Sequence, residues 1–215
     1  MAGELNDLPF ALTLGGVTFL LVVMWGDPFL EILRLLKWGK KIRVELSESH
    51  QAKAGTPTSG GIIILVPAIV ITLGLNLVAL VREGLTGESI LLPLFVLVGF
   101  GLLGFYDDAE GILGRAPLGQ GISARTKFAG QLSLAAVAVL VMSFGDTQFA
   151  NVVLFPLIPG EISLPQVIWI PVAILIIVGT SNAVNLTDGM DGLAGIITAT
   201  AFAASSAVPR SKRSS

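Results

Sequence analysis

Residues 165–194 read PQVIWIPVAILIIVGTSNAVNLTDGMDGLA. The first part, Pro165 to Val184, is apolar and has the length of about 20 residues that a helix needs to cross a bilayer. A polar cluster follows, with Asn182, Asn185, Asp188 and Asp191 close together. A carboxylate in hydrocarbon costs roughly 2.5–3.5 kcal/mol on insertion scales, so we expect this cluster at the water-facing end of a membrane helix. The two Asp, three residues apart, would share one face of a helical turn, and the interleaved glycines permit a close approach to a ligand.

The composition indicates a membrane protein. Of the 215 residues, 53% are hydrophobic and 13% are charged, and the mean hydropathy is +0.84. Soluble domains carry about 25% charged residues, which excludes an ordinary soluble enzyme. The 25 glycines are typical of packed transmembrane helices. The chain has no Cys, so disulfides and thiolate metal sites are excluded.

The apolar segments predict an all-α fold, a polytopic transmembrane helical bundle with five to six spans. Asp27-Pro28 predicts a kink or an interfacial turn in the first span. The Pro- and Gly-containing residues 145–164 predict an irregular or hairpin-like external loop. The predicted spans run from Leu8 to Leu36, Gly60 to Val81, Ser89 to Tyr106, Phe128 to Phe144 and Pro165 to Val184, with a shorter sixth candidate from Leu193 to Val208.

The basic residues predict the orientation of the chain. Six of the 13 Lys and Arg lie in the last turn of the first span or between it and the second span, three lie between the third and fourth, and none lies between the fourth and fifth. By the positive-inside rule the N-terminus is then outside, and the loops after the first, third and fifth spans face the cytoplasm. Every polar motif described below falls on that cytoplasmic side.

The end of the chain departs from this pattern. We interpret residues 1–208 as a single transmembrane domain and residues 209–215, PRSKRSS, as an atypical basic tail. The tail would emerge outside if the sixth segment crossed the membrane. We therefore expect that the chain is interrupted here.

The first motif, HQAKAGTPTSGG at residues 50–61, precedes the second span. Its Gly, Pro and Thr residues offer a stiff loop with backbone N–H groups and hydroxyls. Lys53 adds a positive charge, which suits a nucleotide or a phosphate. A membrane-interface turn with a topology-determining Lys is the alternative.

The second motif is Asp107-Asp108, at the predicted cytoplasmic end of the third span. Adjacent carboxylates can hold Mg²⁺, or one can act as base or nucleophile while the other orients a partner. The alternative is a pair of charges that ends a membrane helix.

The third motif, GISARTKF at residues 121–128, enters the fourth span. Arg125 and Lys127 could bind a diphosphate or could serve as topology charges. The fourth motif is the polar cluster after the fifth span. Its Asn185, Asp188 and Asp191 are candidate hydrogen-bond partners for a base or a sugar, or outer-shell partners of a metal ion. The alternative is a polar cap between two helices.

In this order, the four motifs resemble the phospho-N-acetylmuramoyl-pentapeptide-transferase family, within the polyprenyl-phosphate N-acetylhexosamine-1-phosphate transferases. The resemblance covers about Glu45 to Gly195, and GTPT-x-GG and NAVNLTDGMDGLA are its specific signatures. It implies a bacterial plasma (inner) membrane enzyme with about ten transmembrane helices, of which five to six are present here, and a cytoplasmic active site. The implied reaction moves phospho-MurNAc-pentapeptide from its UDP donor to undecaprenyl phosphate, giving lipid I and UMP, with Mg²⁺ as cofactor. The implied partners are these two substrates, the lipid bilayer and a second copy of the chain in a homodimer, with no nucleic acid.

The resemblance also implies roles for individual residues. Asp107 and Asp108 match the paired catalytic aspartates, one of which deprotonates the lipid phosphate or, in another scheme, attacks the sugar diphosphate. The metal ligands stay open. The residues that match substrate-binding positions are Lys53, Thr58, Lys127, Asn182, Asn185, Asp188 and Asp191.

Some positions depart from the family pattern. Ser59 stands where the family usually has Met, and Gly111 stands where a Lys often follows the Asp pair. Two or three residues are inserted between Asp108 and Lys127. The family's third Asp, its expected principal Mg²⁺ ligand, and its His-rich loop lie beyond residue 215. We therefore expect the chain to be inactive by itself.

Three other functions fit parts of the sequence. A transferase that uses UDP-GlcNAc and the same lipid would keep the chemistry and change the donor. A small ion-coupled transporter would also place Asp and Asn beside Gly-broken helices, although at the midplane rather than at one interface. A non-catalytic remnant would keep the membrane fold without the reaction.

Overall fold

The computed structural model describes residues 2–39, 57–83, 88–113, 121–145, 151–154, 161–187 and 192–207. These residues form six helices and one two-stranded sheet. In chain order the elements are α1 (Ala2–Leu35), α2 (Ile62–Glu83), α3 (Glu88–Leu113), α4 (Ala124–Phe144), β1 (Val152–Leu154), β2 (Glu161–Ser163), α5 (Gln166–Thr187) and α6 (Leu193–Ala207).

Five helices are long and apolar enough to cross a membrane, which confirms the predicted fold class. Large apolar side chains such as Val70, Leu77 and Leu91 are exposed along α2 and α3, as expected of helices that face lipid. The predicted sixth segment forms a shorter apolar helix, α6. The candidate spans are Leu12–Leu35, Ile62–Arg82, Ile90–Leu113, Ala124–Phe144 and Gln166–Thr187.

Two local predictions differ from the structure. The interfacial turn at Asp27-Pro28 was wrong, because α1 continues through both residues to Leu35, and the kink stays a prediction. We also predicted that the third span ends at Tyr106, but α3 continues to Leu113 and contains Asp107 and Asp108. The two carboxylates do not end the helix, because side-chain and backbone donors from other segments bind them.

The chain divides into two compact units, residues 1–127 and 128–215. In the first unit α2 contacts both α1 and α3. The α2–α3 contact is close at Gly101, where an added Cβ would lie 2.7 Å from a methyl carbon of Leu65. On the other side of α2, a Cβ on Gly26 would lie 3.6 Å from Ile63. Small residues thus let these helices approach closely, as is usual in membranes.

The chain reverses direction directly after α1. The N–H of Trp38 donates to the carbonyl of Leu33 (2.8 Å), and that of Lys37 donates to the carbonyl of Arg34 (3.0 Å). This is a Schellman motif, in which Lys37 takes the left-handed position (φ 53°) that glycine usually fills. Gly39 then forms an antiparallel bridge with Pro57, and the N–H of Thr58 donates to the carbonyl of Trp38 (3.1 Å). Trp38 is thereby held beside the residues that lead into α2.

Among the described residues, most of the buried side chains lie in the second unit. On α4 the small residues Ala135 and Ala138 are buried together with Val139. Between α4 and α5, β1 and β2 pair antiparallel, with Val152 opposite Ser163, which confirms the hairpin predicted for this loop. The indole N–H of Trp169 on α5 donates to the carbonyl of Val152 (3.3 Å) and so attaches the hairpin to the helix.

Replacement of Lys37 by Gly is expected to stabilise the chain. A non-glycine residue in the left-handed region costs about 1 kcal/mol or slightly more, and glycine removes that cost. The midpoint of thermal unfolding in detergent micelles should therefore rise for Lys37→Gly. Lys37→Ala is the matched control, because it removes the charge but keeps the Cβ. Equal midpoints for the two variants would show that the backbone conformation at residue 37 is not the cause.

Candidate functional site

Two adjacent carboxylates occupy the last part of α3. Consecutive residues on an α-helix point about 100° apart, so neighbouring side chains meet different surroundings. Asp107 faces the segment that begins α4, and Asp108 faces the segment that leads into α2. Both carboxylates and all of these partners belong to the first unit.

Asp107 is bound by a cation and by the backbone. Its Oδ2 lies 3.0 Å from Nζ of Lys127, and its Oδ1 accepts a hydrogen bond from the N–H of Ile122 at 3.0 Å. Ser123 caps α4 beside this contact, because its Oγ accepts from the N–H of Thr126 (3.1 Å). The start of α4 therefore delivers Lys127, one turn into the helix, to the Asp107 carboxylate. The Asp107 side chain remains 18% exposed and the Lys127 side chain 23% exposed, so water still reaches the pair.

Gly121 makes this arrangement possible. A Cβ at residue 121 would overlap the Asp107 carboxylate and would lie 2.6 Å from the backbone oxygen of Asp107. Only a residue without a side chain allows the loop to come this close.

Asp108 is bound by Ser59 instead. Its Oδ2 accepts from both the backbone N–H (2.9 Å) and the Oγ hydroxyl (3.1 Å) of Ser59. Ser59 itself is left-handed, with φ at 65°. Backbone outliers of this kind concentrate at functional sites, since surrounding contacts must hold them in place.

Trp38 adds a hydrogen bond and a ring contact beside the Ser59–Asp108 pair. Its indole N–H donates to Oγ of Ser59 at 3.2 Å, and its ring stacks on Phe105, with centroids 5.9 Å apart and planes at 10°. Phe105 and Asp108 lie three residues apart on α3 and so share a face. The segment after α1 and the segment before α2 thus meet the same face of α3.

Thr58 carries an unsatisfied hydroxyl next to this network. Its Oγ1 is buried and has no hydrogen-bond partner in the described part of the chain. A buried polar atom without a partner is unfavourable by about 1–3 kcal/mol, so such an atom calls for a ligand or a water. This fits the predicted substrate-binding role of Thr58, which stays a prediction.

A second polar cluster lies in the second unit. Nδ2 of Asn182 on α5 donates to Oε1 of Gln131 on α4 (2.9 Å) and to the carbonyl of Val178 (2.9 Å). Nε2 of Gln131, which is buried, donates in turn to Oγ of Ser181 (3.2 Å). Side-chain amides that bind each other across two apolar helices hold those helices together. Asn182 therefore has a helix-pairing contact in addition to its predicted substrate role.

The predicted site residues divide into three groups. The structure brings Asp107 and Lys127 together and binds Asp108 to Ser59, the residue that follows Thr58 in the chain. Asn182 and Asn185 lie near the end of α5, Asn182 in contact with Gln131 and Asn185 exposed. Lys53, Asp188 and Asp191 lie outside the described residues, as do residues 209–215.

Sequence reasoning missed four residues of these clusters. Trp38 follows a basic helix end, a position typical of an interfacial aromatic residue. Gln131 is a polar side chain within an apolar span, and such residues usually bind a partner or mark a functional site. Ser59 and Gly121 carry weaker signals, since their roles depend on backbone geometry.

The described residues include no group of three or more His, Asp and Glu side chains placed to hold a metal ion. Asp107 and Asp108 supply two carboxylates. Mg²⁺ is often held by one or two carboxylates and completes its shell with water and substrate phosphates. The donor set therefore fits Mg²⁺ that is shared with a phosphate substrate.

A comparison with protein families assigns this chain to a family. The family model described as "Glycosyl transferase family 4" matches residues 90–213, more than half of the chain. The chain belongs to glycosyl transferase family 4. The match to this family includes Asp107, Asp108 and Lys127, together with both helices of the Gln131–Asn182 contact.

Curated relatives agree with the family assignment. The chain is 40% identical over 188 residues to a phospho-N-acetylmuramoyl-pentapeptide-transferase of Geobacillus kaustophilus, a match that covers 87% of this chain and 55% of that protein. It is 37% identical over 203 residues to one of Chloroflexus aurantiacus (93% and 53% covered) and 38% identical over 197 residues to one of Bacillus mycoides (92% and 58% covered). The chain thus spans about half the length of the curated relatives it matches.

Replacement of Gly121 by Ala is expected to destabilise the chain by about 1–3 kcal/mol, the usual range for overpacking. The new Cβ must displace either the Asp107 carboxylate or the loop backbone. Thermal unfolding in detergent measures the loss. Gly104→Ala on α3 is the control, because nothing lies within 4 Å of a Cβ there. A Gly121→Ala variant as stable as Gly104→Ala would contradict the close contact.

The Gln131–Asn182 contact is expected to appear as a coupling energy. In a double-mutant cycle with Gln131→Leu and Asn182→Leu, we expect a coupling of about 0.6–1.7 kcal/mol, the range for hydrogen bonds between membrane helices. Unfolding midpoints of the two single variants and the double variant measure it, with Ser133→Ala as an exposed control on α4. Strictly additive effects would mean that the two amides do not stabilise each other.

Proposed function

We propose that this chain is part of an enzyme that transfers phospho-MurNAc-pentapeptide from its UDP donor to undecaprenyl phosphate, producing lipid I and UMP. The observation that carries the proposal is the carboxylate pair of α3, held on one side by Lys127 and on the other by Ser59. The similarity to transferases of this name supports the choice of substrates.

The proposed reaction is a phosphoryl transfer between two anions. An oxygen of the lipid phosphate forms a bond to the phosphorus that carries the sugar, and the bond from that phosphorus to the oxygen of UMP breaks. One carboxylate of the Asp107–Asp108 pair accepts the proton of the lipid phosphate. Such reactions depend mainly on positioning and charge stabilisation.

Lys127 supplies positive charge at this place. Its ammonium group is held by Asp107 at 3.0 Å and remains partly exposed, so it can also reach a phosphate oxygen. Asp107 would then orient the ammonium group of Lys127 in addition to its role in the carboxylate pair.

We further propose that Mg²⁺ binds here, with one carboxylate of the Asp107–Asp108 pair as a ligand. When bound, Mg²⁺ would screen the repulsion between the two phosphates. The family resemblance supports this requirement, as it supports a homodimer.

The proposed location is the bacterial plasma membrane, with the N-terminus outside and the site on the cytoplasmic face. The five apolar helices support the membrane location, and the distribution of Lys and Arg supports the orientation. The relatives named above are bacterial.

The test is Mg²⁺-dependent release of UMP from UDP-MurNAc-pentapeptide and undecaprenyl phosphate. We would compare the 215-residue chain with a fusion in which the part of this chain that matches the Geobacillus kaustophilus relative is followed by the part of that relative beyond its matched region. We expect release by the fusion and none by the chain alone. Asp107→Asn and Asp108→Asn should each lower kcat of the fusion by about 10²–10⁴-fold, the usual effect of losing acid–base catalysis.

Ser133→Ala, on the exposed face of α4, is the control that should keep full activity. UMP release from UDP-GlcNAc without release from UDP-MurNAc-pentapeptide would overturn the proposed donor. Release that is unaffected by both Asp variants would overturn the proposed site.

A further inference from the structure

Ser59 binds Asp108 through two donors at once. The backbone N–H and the hydroxyl both reach the same oxygen, Oδ2, at 2.9 and 3.1 Å. The terminal torsion of an Asp side chain is broad, so a carboxylate held by one contact can rotate. Two donors from one residue restrict this rotation and thereby direct the second oxygen, Oδ1.

Trp38 determines the direction of the Ser59 hydroxyl. An indole N–H can only donate, and an ionised carboxylate can only accept. Because Oγ of Ser59 accepts from Trp38 at 3.2 Å, its own proton is left for Asp108. The contacts therefore form a chain with one polarity, from Trp38 through Ser59 to Asp108, and such chains strengthen each member.

The rest of the fold holds both donors in place. Trp38 follows the Schellman motif at the end of α1 and stacks on Phe105, which is on the same face of α3 as Asp108. Ser59 adopts a left-handed backbone, which would be unfavourable for a serine without compensation. The backbone N–H of a residue in this conformation points at Oδ2, so the unfavourable geometry serves the contact.

We propose that Ser59 and Trp38 are positioning residues, which orient the Asp108 carboxylate for the transfer reaction. This inference rests on the proposed function. The hydroxyl of Ser59 adds a second donor to the backbone N–H, which a residue of almost any type would supply.

The test uses two substitutions at residue 59 that differ in their effect on backbone strain. Ser59→Ala and Ser59→Gly both remove the hydroxyl and keep the N–H, but only Gly is unstrained at this φ. In the fusion described above, both should lower kcat by about tenfold, the scale of a small misplacement, with the KM of each substrate changed less than twofold. Ser59→Gly should nevertheless unfold at a higher temperature than Ser59→Ala, so that activity does not follow stability.

Trp38→Phe is a second variant that keeps the stacking on Phe105 and removes the indole donor. Trp38→Phe should also lower kcat, but by a smaller factor than Ser59→Ala does. Ser133→Ala serves again as the control without effect.

A second measurement does not depend on activity. The 215-residue chain, labelled with ¹³C at the Asp carboxyl carbons, gives signals that Asp107→Asn and Asp108→Asn assign. Ser59→Gly and Trp38→Phe should each shift the Asp108 signal and leave the Asp107 signal in place.

The two proposals can fail separately. If the unmodified fusion releases no UMP, the proposed function fails, and the Asp108 signal alone decides whether Ser59 and Trp38 orient this carboxylate. If the fusion is active, an unchanged kcat in Ser59→Ala and Ser59→Gly overturns the positioning role. An unchanged Asp108 signal in Ser59→Gly and Trp38→Phe overturns it as well.

Discussion

The two neighbouring carboxylates of α3 repel each other and lose hydration in a largely apolar chain, and both effects must be offset. The chain offsets them with different donors. Lys127 and the N–H of Ile122 bind Asp107, whereas the N–H and hydroxyl of Ser59 bind Asp108. Since each carboxylate points to its own side of the helix, the pair connects two separate segments of the first unit, the residues before α2 and the start of α4, to one turn of α3.

This constraint explains several local features that otherwise look unrelated. Gly121 is small because the loop must pass directly over Asp107. Ser59 and Lys37 are left-handed because the chain must turn sharply on both sides of the Gly39–Pro57 bridge. The left-handed conformation of Ser59 is locally unfavourable, and its two hydrogen bonds to Asp108 offset part of that cost. Ser59 and Gly121 thus both lie against the same turn of α3.

The fold was largely predictable from the sequence, whereas the site was predictable only in part. The apolar segments have the length and composition of membrane helices, so the five spans and the hairpin loop followed from simple rules. Asp107, Asp108 and Lys127 were identified because charged residues beside apolar spans are rare. The continuation of α3 past Tyr106 was missed, because it depends on donors from distant segments. Ser59 was missed for a similar reason, since a left-handed backbone and a contact across 49 residues leave no local pattern.

The order in which the partners of α3 are synthesised follows from their positions in the chain. Trp38 and Ser59 precede Asp108, so the donors for that carboxylate exist before it is made. Lys127 follows Asp107 by 20 residues. At about 5–20 residues per second, the ribosome adds it about 1–4 s later. During this interval Asp107 lacks its cation, and water is the favourable surrounding for its charge. Membrane insertion of α3 is therefore easiest if its carboxylate end stays hydrated until α4 begins to emerge.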